Sequence, residues 1–408
     1  MTNTKINSAI VIGGGIAGCS SAYSLAKRGW QVTVIEQAQT LAQGASGNPI
    51  AVLYARLTGN PSLLNDLALA SFEYSQKFLS ALNLAAADYQ KCGVLQLSFN
   101  PRELERHLKF IASQKQNIAQ YIDQTEASAI AGIPLNSGGL FMPNAGWVNP
   151  SAFCKALAHH PNINIIYTSA AITLASATDC WQVLSAQKLL AEASTVIIAN
   201  ANQAKKFAQS QHLPLTPVCG QLSAVPSQLI TPLNPLKTIV CGDGYLSPLL
   251  DGYQYIGTTF SANDADLTLR DSEHIQNLSV LNTITDLDIT QLKQAEMLSQ
   301  LSGRVALRSQ TPDYLPLAGQ LIDAQQLIQN PPRYNADVAS LPWMKGLYIN
   351  AGHGAKGMIT APYCAELIAE HLNNALPIEF KDMFNALNPN RFLLRDLGLK
   401  QLAKMALM

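Results

Sequence analysis

Three glycines and one acid near the start of the chain are spaced for binding a dinucleotide. Gly13, Gly15 and Gly18 stand between an apolar strand-like run and a stretch of small residues, and Glu36 ends the next strand-like run. In such a turn the glycines permit the tight bend, close backbone approach to a pyrophosphate, and packing of helix on strand. The helix N-terminus presents N–H groups to the phosphates. A carboxylate at Glu36 would bind ribose hydroxyls and repel a 2′-phosphate, so NADP is disfavoured.

A second segment, "GLYINAGHGAKGMITAP" from Gly346 to Pro362, repeats this order of strand, glycine turn and helix. Its helix N-terminus can face another electron-rich group. In a flavoprotein that group is the pyrimidine edge of the isoalloxazine ring, where negative charge develops on reduction. Lys356 at the mouth of the turn would add a positive charge there. The alternative is an ordinary solvated lysine.

The helices and strands predicted around these turns indicate an α/β fold. The chain would form two domains in an α+β organisation. Thr195–Asn200 ("TVIIAN") is typical of a buried parallel strand, and Pro150 with Ser151 fits a helix start. From about Pro214, short strands joined by Asp-Gly turns indicate an antiparallel sheet. We therefore predict a Rossmann-type nucleotide-binding domain interrupted by an inserted antiparallel-sheet substrate domain. The predicted ranges are 1–85, 140–213 and 306–372 for the first, 86–139 and 214–305 for the second, and 373–408 for a C-terminal basic tail or helix.

Composition narrows the class of protein. At 408 residues the chain fits two domains, and 27 residues of each charge give no overall basic character for nucleic acid. Seven scattered cysteines, without a C-x-x-C pair, indicate reduced thiols and a cytoplasmic location. The histidines show no metal-ligand spacing, so no metal is expected. The uncharged stretch before Lys27 contains three consecutive glycines, which favours a βαβ unit over a signal peptide or membrane span.

Further segments resemble a known family. "GASGNP" at 44–49, "LRSQTPDYLPLAG" at 307–319 and "AGHGAKGMITAP" are similar to the glycine oxidase/D-amino-acid oxidase (DAO) superfamily of FAD enzymes. "GASGNPIAVLY", "LPLTPVCGQLS" and the tail "LNPNRFLLRDL" resemble, more narrowly, the C-terminal oxidoreductase domain of the MnmC family of bacterial tRNA wobble-uridine modification proteins. Three features depart from that family. Cys219 stands where an arginine is expected, and "IIANANQAKKF" at 197–207 lacks the glycine that usually follows such a strand. The family's methyltransferase domain does not precede the first turn, so a separate tRNA methyltransferase is a candidate partner.

The resemblance implies FAD as the cofactor and assigns contacts to it. The ADP half would lie at the first turn, the pyrophosphate or flavin at the serine-containing loop, adenine at a valine backbone, and the flavin pyrimidine edge at the second turn. The implied cofactor-binding residues are Gly13, Gly14, Gly15, Ile16, Ala17, Gly18, Glu36, Gln37, Ser46, Gly47, Asn48, Val148, Gly352, His353, Gly354, Ala355, Lys356, Gly357 and Met358.

The resemblance also implies that Arg308 binds the substrate carboxylate, because this arginine stands just before the T-x-D-x-x-P turn. A guanidinium can hold a carboxylate through two hydrogen bonds. The alternative is a surface ion pair between Arg308 and Asp313. Tyr245 is a weaker second contact, with an ordinary sheet tyrosine as its alternative. No general base is predicted.

The implied reaction is oxidation of tRNA that carries 5-carboxymethylaminomethyl-(2-thio)uridine at the wobble position, which yields 5-aminomethyl-(2-thio)uridine and glyoxylate. The enzyme class is an FAD-dependent oxidoreductase acting on a CH–NH bond. Two alternatives stay open: an oxidase of glycine, sarcosine or another amino acid, and a non-catalytic flavin-fold partner of a tRNA methyltransferase.

The tail concentrates positive charge, with Arg391, Arg395, Lys400 and Lys404 against one acid. Helical periodicity from about Asn390 predicts an apolar face of leucines opposite the two arginines, with a break at Gly398 and a second apolar face that includes Ala406. These cations would meet tRNA phosphates. The alternative is a docked terminal helix with solvated charges.

Overall fold

The computed structural model describes residues 7–59, 61–113, 118–186, 188–262, 264–333 and 335–405. The chain forms two compact units. The first unit comprises residues 1–47, 150–217 and 308–408, and the second comprises residues 48–149 and 218–307. Residues 48–85 and 140–149 thus belong to the second unit and 373–408 to the first, which differs from the predicted ranges. The division into a cofactor domain and a substrate domain stays a prediction.

The regular elements are numbered in chain order. The α-helices are α1 Ile16–Ala26, α2 Leu63–Ala81, α3 Pro101–Ala112, α4 Gln124–Ala131, α5 Pro150–Ala158, α6 Asp271–Ser279, α7 Ala295–Leu298, α8 Ala324–Gln329, α9 Gly357–Leu372, α10 Lys381–Ala386 and α11 Arg391–Asp396. The strands are β1 Ser8–Ile12, β2 Gln31–Ile35, β3 Ala51–Leu53, β4 Tyr89–Gln90, β5 Val94–Leu97, β6 Gln120–Ile122, β7 Gly139–Met142, β8 Gly146–Val148, β9 Ile163–Ile166, β10 Thr173–Ser176, β11 Trp181–Ser185, β12 Lys188–Ala193, β13 Thr195–Ile198, β14 Thr216–Pro226, β15 Ile239–Cys241, β16 Tyr245–Leu246, β17 Tyr253–Gly257, β18 Ser261–Ala262, β19 Ser302–Gln310, β20 Leu317–Ile322 and β21 Trp343–Ala351.

The first unit contains a six-stranded sheet in the order β20-β21-β13-β1-β2-β9. Its strands pair in parallel except for the antiparallel edge strand β20. The chain leaves β1 toward β2 on one side, while β13 and β21 lie on the other. The carboxyl end of β1 is therefore a topological switch point, the place where open α/β sheets bind ligands. The predicted Rossmann-type fold is confirmed.

The second unit is built around a nine-stranded sheet in which eight strands follow the order β18-β14-β17-β16-β15-β5-β7-β6 and β19 pairs with β14. Most neighbours are antiparallel, as in β14 with β17 and β5 with β7, whereas β15 and β5 are parallel. Buried apolar side chains such as Leu95, Ile256 and Leu281 form its core. The antiparallel sheet predicted from the short strands and Asp-Gly turns is present.

The C-terminal segment docks on the edge strand β20 of the first unit. Ala318 N–H donates to the Leu387 carbonyl at 3.0 Å, and Ile322 N–H donates to Asn390 Oδ1 at 3.1 Å. Asn390 Nδ2 returns a bond to the Gln320 carbonyl at 2.9 Å. These contacts satisfy backbone groups that an open sheet edge would leave exposed.

The predicted polar face of the tail is wrong at Arg391. Helix α11 begins at Arg391 and ends before Gly398, whose φ is +77°, so the helix and its break are confirmed. Arg391 itself is fully buried, whereas Arg395, Lys400 and Lys404 are exposed. A short helix can bury an arginine on its inner side when acceptors surround the guanidinium. Ala406 lies outside the described residues.

Two compositional expectations can be compared with the structure. All seven cysteines are free thiols, and Cys19, Cys154, Cys219, Cys241 and Cys364 are buried, as expected of small core residues. Within the described ranges, no helix has both the length and the apolar character needed to cross a membrane.

Candidate functional site

The first glycine turn (residues 13–18) joins β1 to α1 and fits closely against its surroundings. Gly13 has a φ of +106°, and a Cβ there would lie 2.8 Å from the Ala199 carbonyl oxygen. A Cβ at Gly18 would overlap the carbonyl oxygen of Gly13, because the helix crosses directly over the turn. At Gly15 the nearest atom to such a Cβ is Ser46 Oγ at 3.1 Å. Close backbone approach therefore requires glycine at 13 and 18.

Glu36, which follows β2, stabilises this turn through two hydrogen bonds. Its Oε2 accepts a hydrogen bond from Gly14 N–H at 2.6 Å, and its Oε1 accepts one from Ala38 N–H at 2.8 Å. The residue is 8 % exposed. Each carboxylate oxygen has a second lone pair that could accept a ribose hydroxyl. Gln37, the next predicted contact, is exposed.

Ser46 contributes a hydroxyl to the start of α1. Its Oγ accepts a hydrogen bond from Ile16 N–H at 3.0 Å, one of the N–H groups that has no partner within the helix. Ser46 lies in a single 3-10 turn, Ala45–Gly47, in which Gly47 N–H donates to the Gly44 carbonyl. A hydroxyl and helix N–H groups thus meet at the place where the sequence predicts a pyrophosphate.

Three other predicted residues belong to the second unit. Asn48 Oδ1 accepts a hydrogen bond from Arg304 Nη1 at 3.1 Å, and burial lowers the pKa of Arg304. Val148 is fully buried in β8, opposite Ala51. Tyr245 begins β16 and is half-buried. Arg304 was not predicted from the sequence, because β19 carries several other polar residues and this arginine does not stand out among them.

The second glycine turn (residues 352–357) joins β21 to α9. Gly352 and Gly354 have φ values of +78° and +55°, and α9 begins at Gly357. A Cβ at Gly352 would lie 2.9 Å from Thr311 Cγ2, and Gln310 forms a β-bridge with His353. The end of β19 therefore lies against this turn. Ala355 is exposed, Lys356 is half-buried and Met358 is buried.

His353 is held within a network of polar side chains. Its Nε2 lies 3.0 Å from Asn350 Oδ1, and its Nδ1 lies 3.0 Å from Thr360 Oγ1. Asn350 Nδ2 donates to Ser21 Oγ of α1 at 3.0 Å, so its oxygen faces the ring and Nε2 carries the proton in the neutral tautomer. Burial lowers the pKa of His353 to about 3. The ring is therefore neutral, and it connects Thr360 of α9 with Asn350, which in turn bonds to Ser21 of α1.

Arg308 lies on β19, two residues before the bridge to His353. Its carbonyl accepts a hydrogen bond from Asn202 Nδ2 at 3.1 Å, which ties the strand to the loop after β13. Asp313, given above as the alternative partner of Arg308, forms a two-bond ion pair with Arg391, with Nη2 to Oδ1 at 2.9 Å and Nε to Oδ2 at 3.0 Å. The structure thus brings the Arg308 strand close to the second glycine turn.

Sequence reasoning missed two amides, the fully buried Asn350 and the half-buried Asn202. Asn350 is fully buried in a strand whose neighbours are apolar. Such a residue needs a hydrogen-bond partner, and this need was the available signal. Nothing local pointed to Asn202, because its contact is made across more than a hundred residues of chain. Among the described residues, no group of His, Cys, Asp and Glu side chains is arranged to bind a metal.

The chain is similar to curated proteins along almost its whole length. It is 46% identical over 400 residues to the "tRNA 5-methylaminomethyl-2-thiouridine biosynthesis bifunctional protein MnmC" of Methylobacillus flagellatus, covering 97% of this chain and 61% of the relative. It is 40% identical over 397 residues to the MnmC protein of Pseudomonas savastanoi, covering 95% and 59%. The chain thus spans about three-fifths of the length of these relatives.

Solved structures share the fold. Glycine oxidase from Geobacillus kaustophilus matches with a TM-score of 0.70 and 19% identity, covering 91% of this chain and 96% of that one. L-proline dehydrogenase from P. horikoshii matches with a TM-score of 0.71 and 20% identity, covering 95% and 98%. The family model described as FAD-dependent oxidoreductase (DAO) matches residues 8–371. With both glycine turns inside that range, the chain belongs to the DAO family of FAD-dependent oxidoreductases.

Proposed function

We propose that the first unit binds FAD through both glycine turns. The fit rests on the close approach at Gly13, the Ser46 hydroxyl beside the first helix, and Glu36 at the ribose position. A cofactor with a second electron-rich group also explains why a second helix N-terminus follows β21. The residues proposed to hold FAD in this unit are Gly13, Gly14, Gly15, Ile16, Ala17, Gly18, Glu36, Gln37, Ser46, Gly47, Gly352, His353, Gly354, Ala355, Lys356, Gly357 and Met358. Asn48 and Val148 are the further contacts that the family resemblance implies.

The proposed substrate is tRNA with 5-carboxymethylaminomethyl-(2-thio)uridine at the wobble position. The support is the 40–46% identity to proteins named for 5-methylaminomethyl-2-thiouridine biosynthesis in tRNA. The modified side chain is an N-substituted glycine, and its oxidation belongs to the chemistry of a family that includes glycine oxidase. With a tRNA substrate, the proposed location is the cytoplasm.

The chain's own residues would fix the reacting group. Arg308 would bind the substrate carboxylate through its planar guanidinium, with Tyr245 as a weaker second contact. Bound FAD would accept a hydride from the methylene carbon between the amine and the carboxylate. The resulting carbon–nitrogen double bond takes up water and breaks into glyoxylate and the 5-aminomethyl group on the uridine. Positioning supplies most of the rate enhancement.

The product is a primary amine, whereas the relatives' name specifies a methylaminomethyl group. A methyltransferase, in the same or in a separate polypeptide, would therefore consume the product. A separate tRNA methyltransferase is the partner we propose for this step.

The decisive experiment measures nucleosides by mass spectrometry after tRNA with the carboxymethylaminomethyl group is incubated with FAD-loaded protein. We expect 5-aminomethyluridine and an equal amount of glyoxylate. Arg308→Ala should keep FAD and lose turnover by about 2–4 kcal/mol of transition-state binding, and Arg308→Lys should recover part of it. Arg102→Ala, exposed on α3, is the matched control. Wild-type turnover in Arg308→Ala would refute the assignment.

The same assay separates the alternatives. Flavin reduction by free glycine or sarcosine, without conversion of tRNA, would identify a small-amine oxidase, which the fold of glycine oxidase permits. No reduction by any amine, together with binding to a tRNA methyltransferase, would identify a non-catalytic partner.

The exposed tail cations Arg395, Lys400 and Lys404 are proposed to bind tRNA phosphates. Replacing Lys400 and Lys404 by glutamine should weaken tRNA binding and flatten the dependence of log affinity on log salt by roughly 0.7–0.9 for each phosphate that is no longer neutralised. Arg395 is left unchanged in this variant, because its Nη1 lies 3.7 Å from Asp313 Oδ2. Oxidation of a small N-substituted glycine should persist. An unchanged slope would leave these side chains as solvated charges.

A further inference from the structure

Arg391 is a buried cation in the tail, and acceptors surround its guanidinium. Besides the ion pair to Asp313, Nη2 donates to the Leu315 carbonyl at 2.8 Å and Nη1 to the Pro316 carbonyl at 3.1 Å. Nη1 also donates to the carbonyls of Leu387 and Asn388 at 3.3 and 3.0 Å. A fully buried charge is stable only when such partners are complete. The side chain is therefore built into the fold and is not available to a phosphate.

Four of the six hydrogen bonds of Arg391 reach one turn, residues 311–316, which follows β19 directly. Within the turn, Thr311 Oγ1 donates to the Leu315 carbonyl and Leu315 N–H donates to Asp313 Oδ1. Tyr314 has a φ of +61°, a conformation that a non-glycine residue keeps only where its surroundings impose it. Burial raises the pKa of Asp313, but the hydrogen bonds and charge of Arg391 outweigh this, so that the pKa lies below its usual value.

Turn 311–316 has two neighbours that belong to the proposed site. Arg308 lies three residues before it on β19, and the second glycine turn packs against it, with Thr311 beside Gly352 and Gln310 bridged to His353. A shift of the turn would therefore move both the end of the Arg308 strand and the second glycine turn.

We propose that Arg391 is a positioning residue: through its ion pair with Asp313 it fixes turn 311–316, and thereby the placement of Arg308 and of the second glycine turn. The inference rests on the proposed function for the roles of Arg308 and FAD, while the fixing of the turn stands on the hydrogen bonds and packing described above. The C-terminal segment thus acts as part of the site's scaffold.

Two mild variants test this in the full, FAD-loaded chain. Arg391→Lys keeps the charge but loses the two-bond fork, and Asp313→Asn keeps the acceptor oxygen for Leu315 but loses the charge. The matched control is Leu402→Ala, which weakens the docking of the tail, because Leu402 is buried among apolar side chains that include Leu394. Hydrogen exchange of segment 308–316, the dissociation constant of FAD, and KM and kcat for tRNA or an N-substituted glycine are measured in each.

Both variants should raise hydrogen exchange in segment 308–316 and leave that of α1 unchanged. They should also raise KM at least tenfold with a smaller change in kcat, whereas Leu402→Ala should lower thermal stability without changing KM. Wild-type exchange in both variants, or an equal KM increase in the control, would overturn the proposal. Increased hydrogen exchange in segment 308–316 with unchanged KM and FAD affinity would also overturn it, because Arg391 would then only stabilise the fold. If the wild-type protein oxidises no amine, the proposed function fails. Hydrogen exchange of segment 308–316 and the dissociation constant of FAD still decide in that case whether Arg391 fixes the turn.

Discussion

The two glycine turns share the order strand, turn, helix, yet they are held in different ways. The first glycine turn is braced from outside by a carboxylate, Glu36, and by the hydroxyl of Ser46. The second is held by neutral groups, since Asn350, His353 and Thr360 bond one another and the turn packs on residues 310–311. Similar sequence patterns therefore rest on different physical supports.

The difference matches what each turn is proposed to bind. A carboxylate suits hydroxyl donors of a ribose beside phosphates that the helix N–H groups hold. A neutral support leaves the positive end of α9, together with Lys356, as the local charge, which suits negative charge that develops on a reduced flavin. Changes at the first turn should therefore affect binding, and changes at the second should affect redox behaviour.

The largest expected effect is that of Gly18→Ala. Its Cβ would overlap the Gly13 carbonyl oxygen, and backbone cannot move aside as a side chain can. We expect a loss of at least about 3 kcal/mol in unfolding free energy, together with loss of FAD binding. Thermal unfolding and flavin fluorescence measure both. Gly357→Ala is the control for stability, because its Cβ would meet only His353 Cβ at 3.7 Å and its φ of −55° is helical. Equal stability of the two variants would contradict the close fit at Gly18.

Glu36→Gln tests the carboxylate brace. Glutamine offers one acceptor oxygen where two backbone N–H groups need acceptors, so one of these buried groups loses its partner. The expected cost is about 2 kcal/mol, which corresponds to roughly 30-fold weaker FAD binding if it falls on the bound state. Isothermal titration with FAD measures this. Glu192→Gln, at an exposed residue of β12, is the control and should leave the affinity for FAD unchanged. An unchanged affinity in Glu36→Gln would show that the two hydrogen bonds of Glu36 do not support FAD binding.

Only part of the two turns and their surroundings could be predicted from sequence. Both glycine turns, strand Gln31–Ile35 and the break at Gly398 follow from local patterns, because glycine conformation and strand periodicity are set by neighbouring residues. The partner of Asp313 could not be found in this way. It lies 78 residues away, and the tail's periodicity placed Arg391 on the polar face of a helix whose inner side is in fact lined with acceptors. Long-range polar contacts need the fold before they can be assigned.

The neutral support predicts a pH dependence for the second turn. Because the pKa of His353 is lowered by burial to about 3, the unfolded chain binds a proton below about pH 6.5 that the folded chain does not. Stability should therefore fall with acidification, by about 2 kcal/mol between pH 7 and 5 if the ring stays neutral. His353→Asn should remove this part of the slope in urea unfolding.

His107 provides the matched case in the second unit. Burial and the charges of Arg106 and Arg56 lower its pKa to about 3 as well. His107→Asn should reduce the slope by a similar amount, and the double variant by the sum of the two. A slope that neither variant changes would mean that both rings become protonated in the folded protein.

The smallest effect is expected for Lys356→Gln, which tests the proposed contribution of charge at the second turn. A lysine beside the reduced flavin would favour the reduced state by about 1 kcal/mol, which is about 20 mV in a two-electron potential. The variant should therefore have a lower midpoint potential in a titration against reference dyes, and Lys356→Arg should keep the wild-type value. Glu36→Gln should leave the potential unchanged, because its proposed contact is the ribose at the far end of FAD. A potential that responds to Glu36 and not to Lys356 would reverse the roles assigned to the two turns. Equal potentials in all four proteins would leave the N-terminus of α9 as the positive group at the flavin.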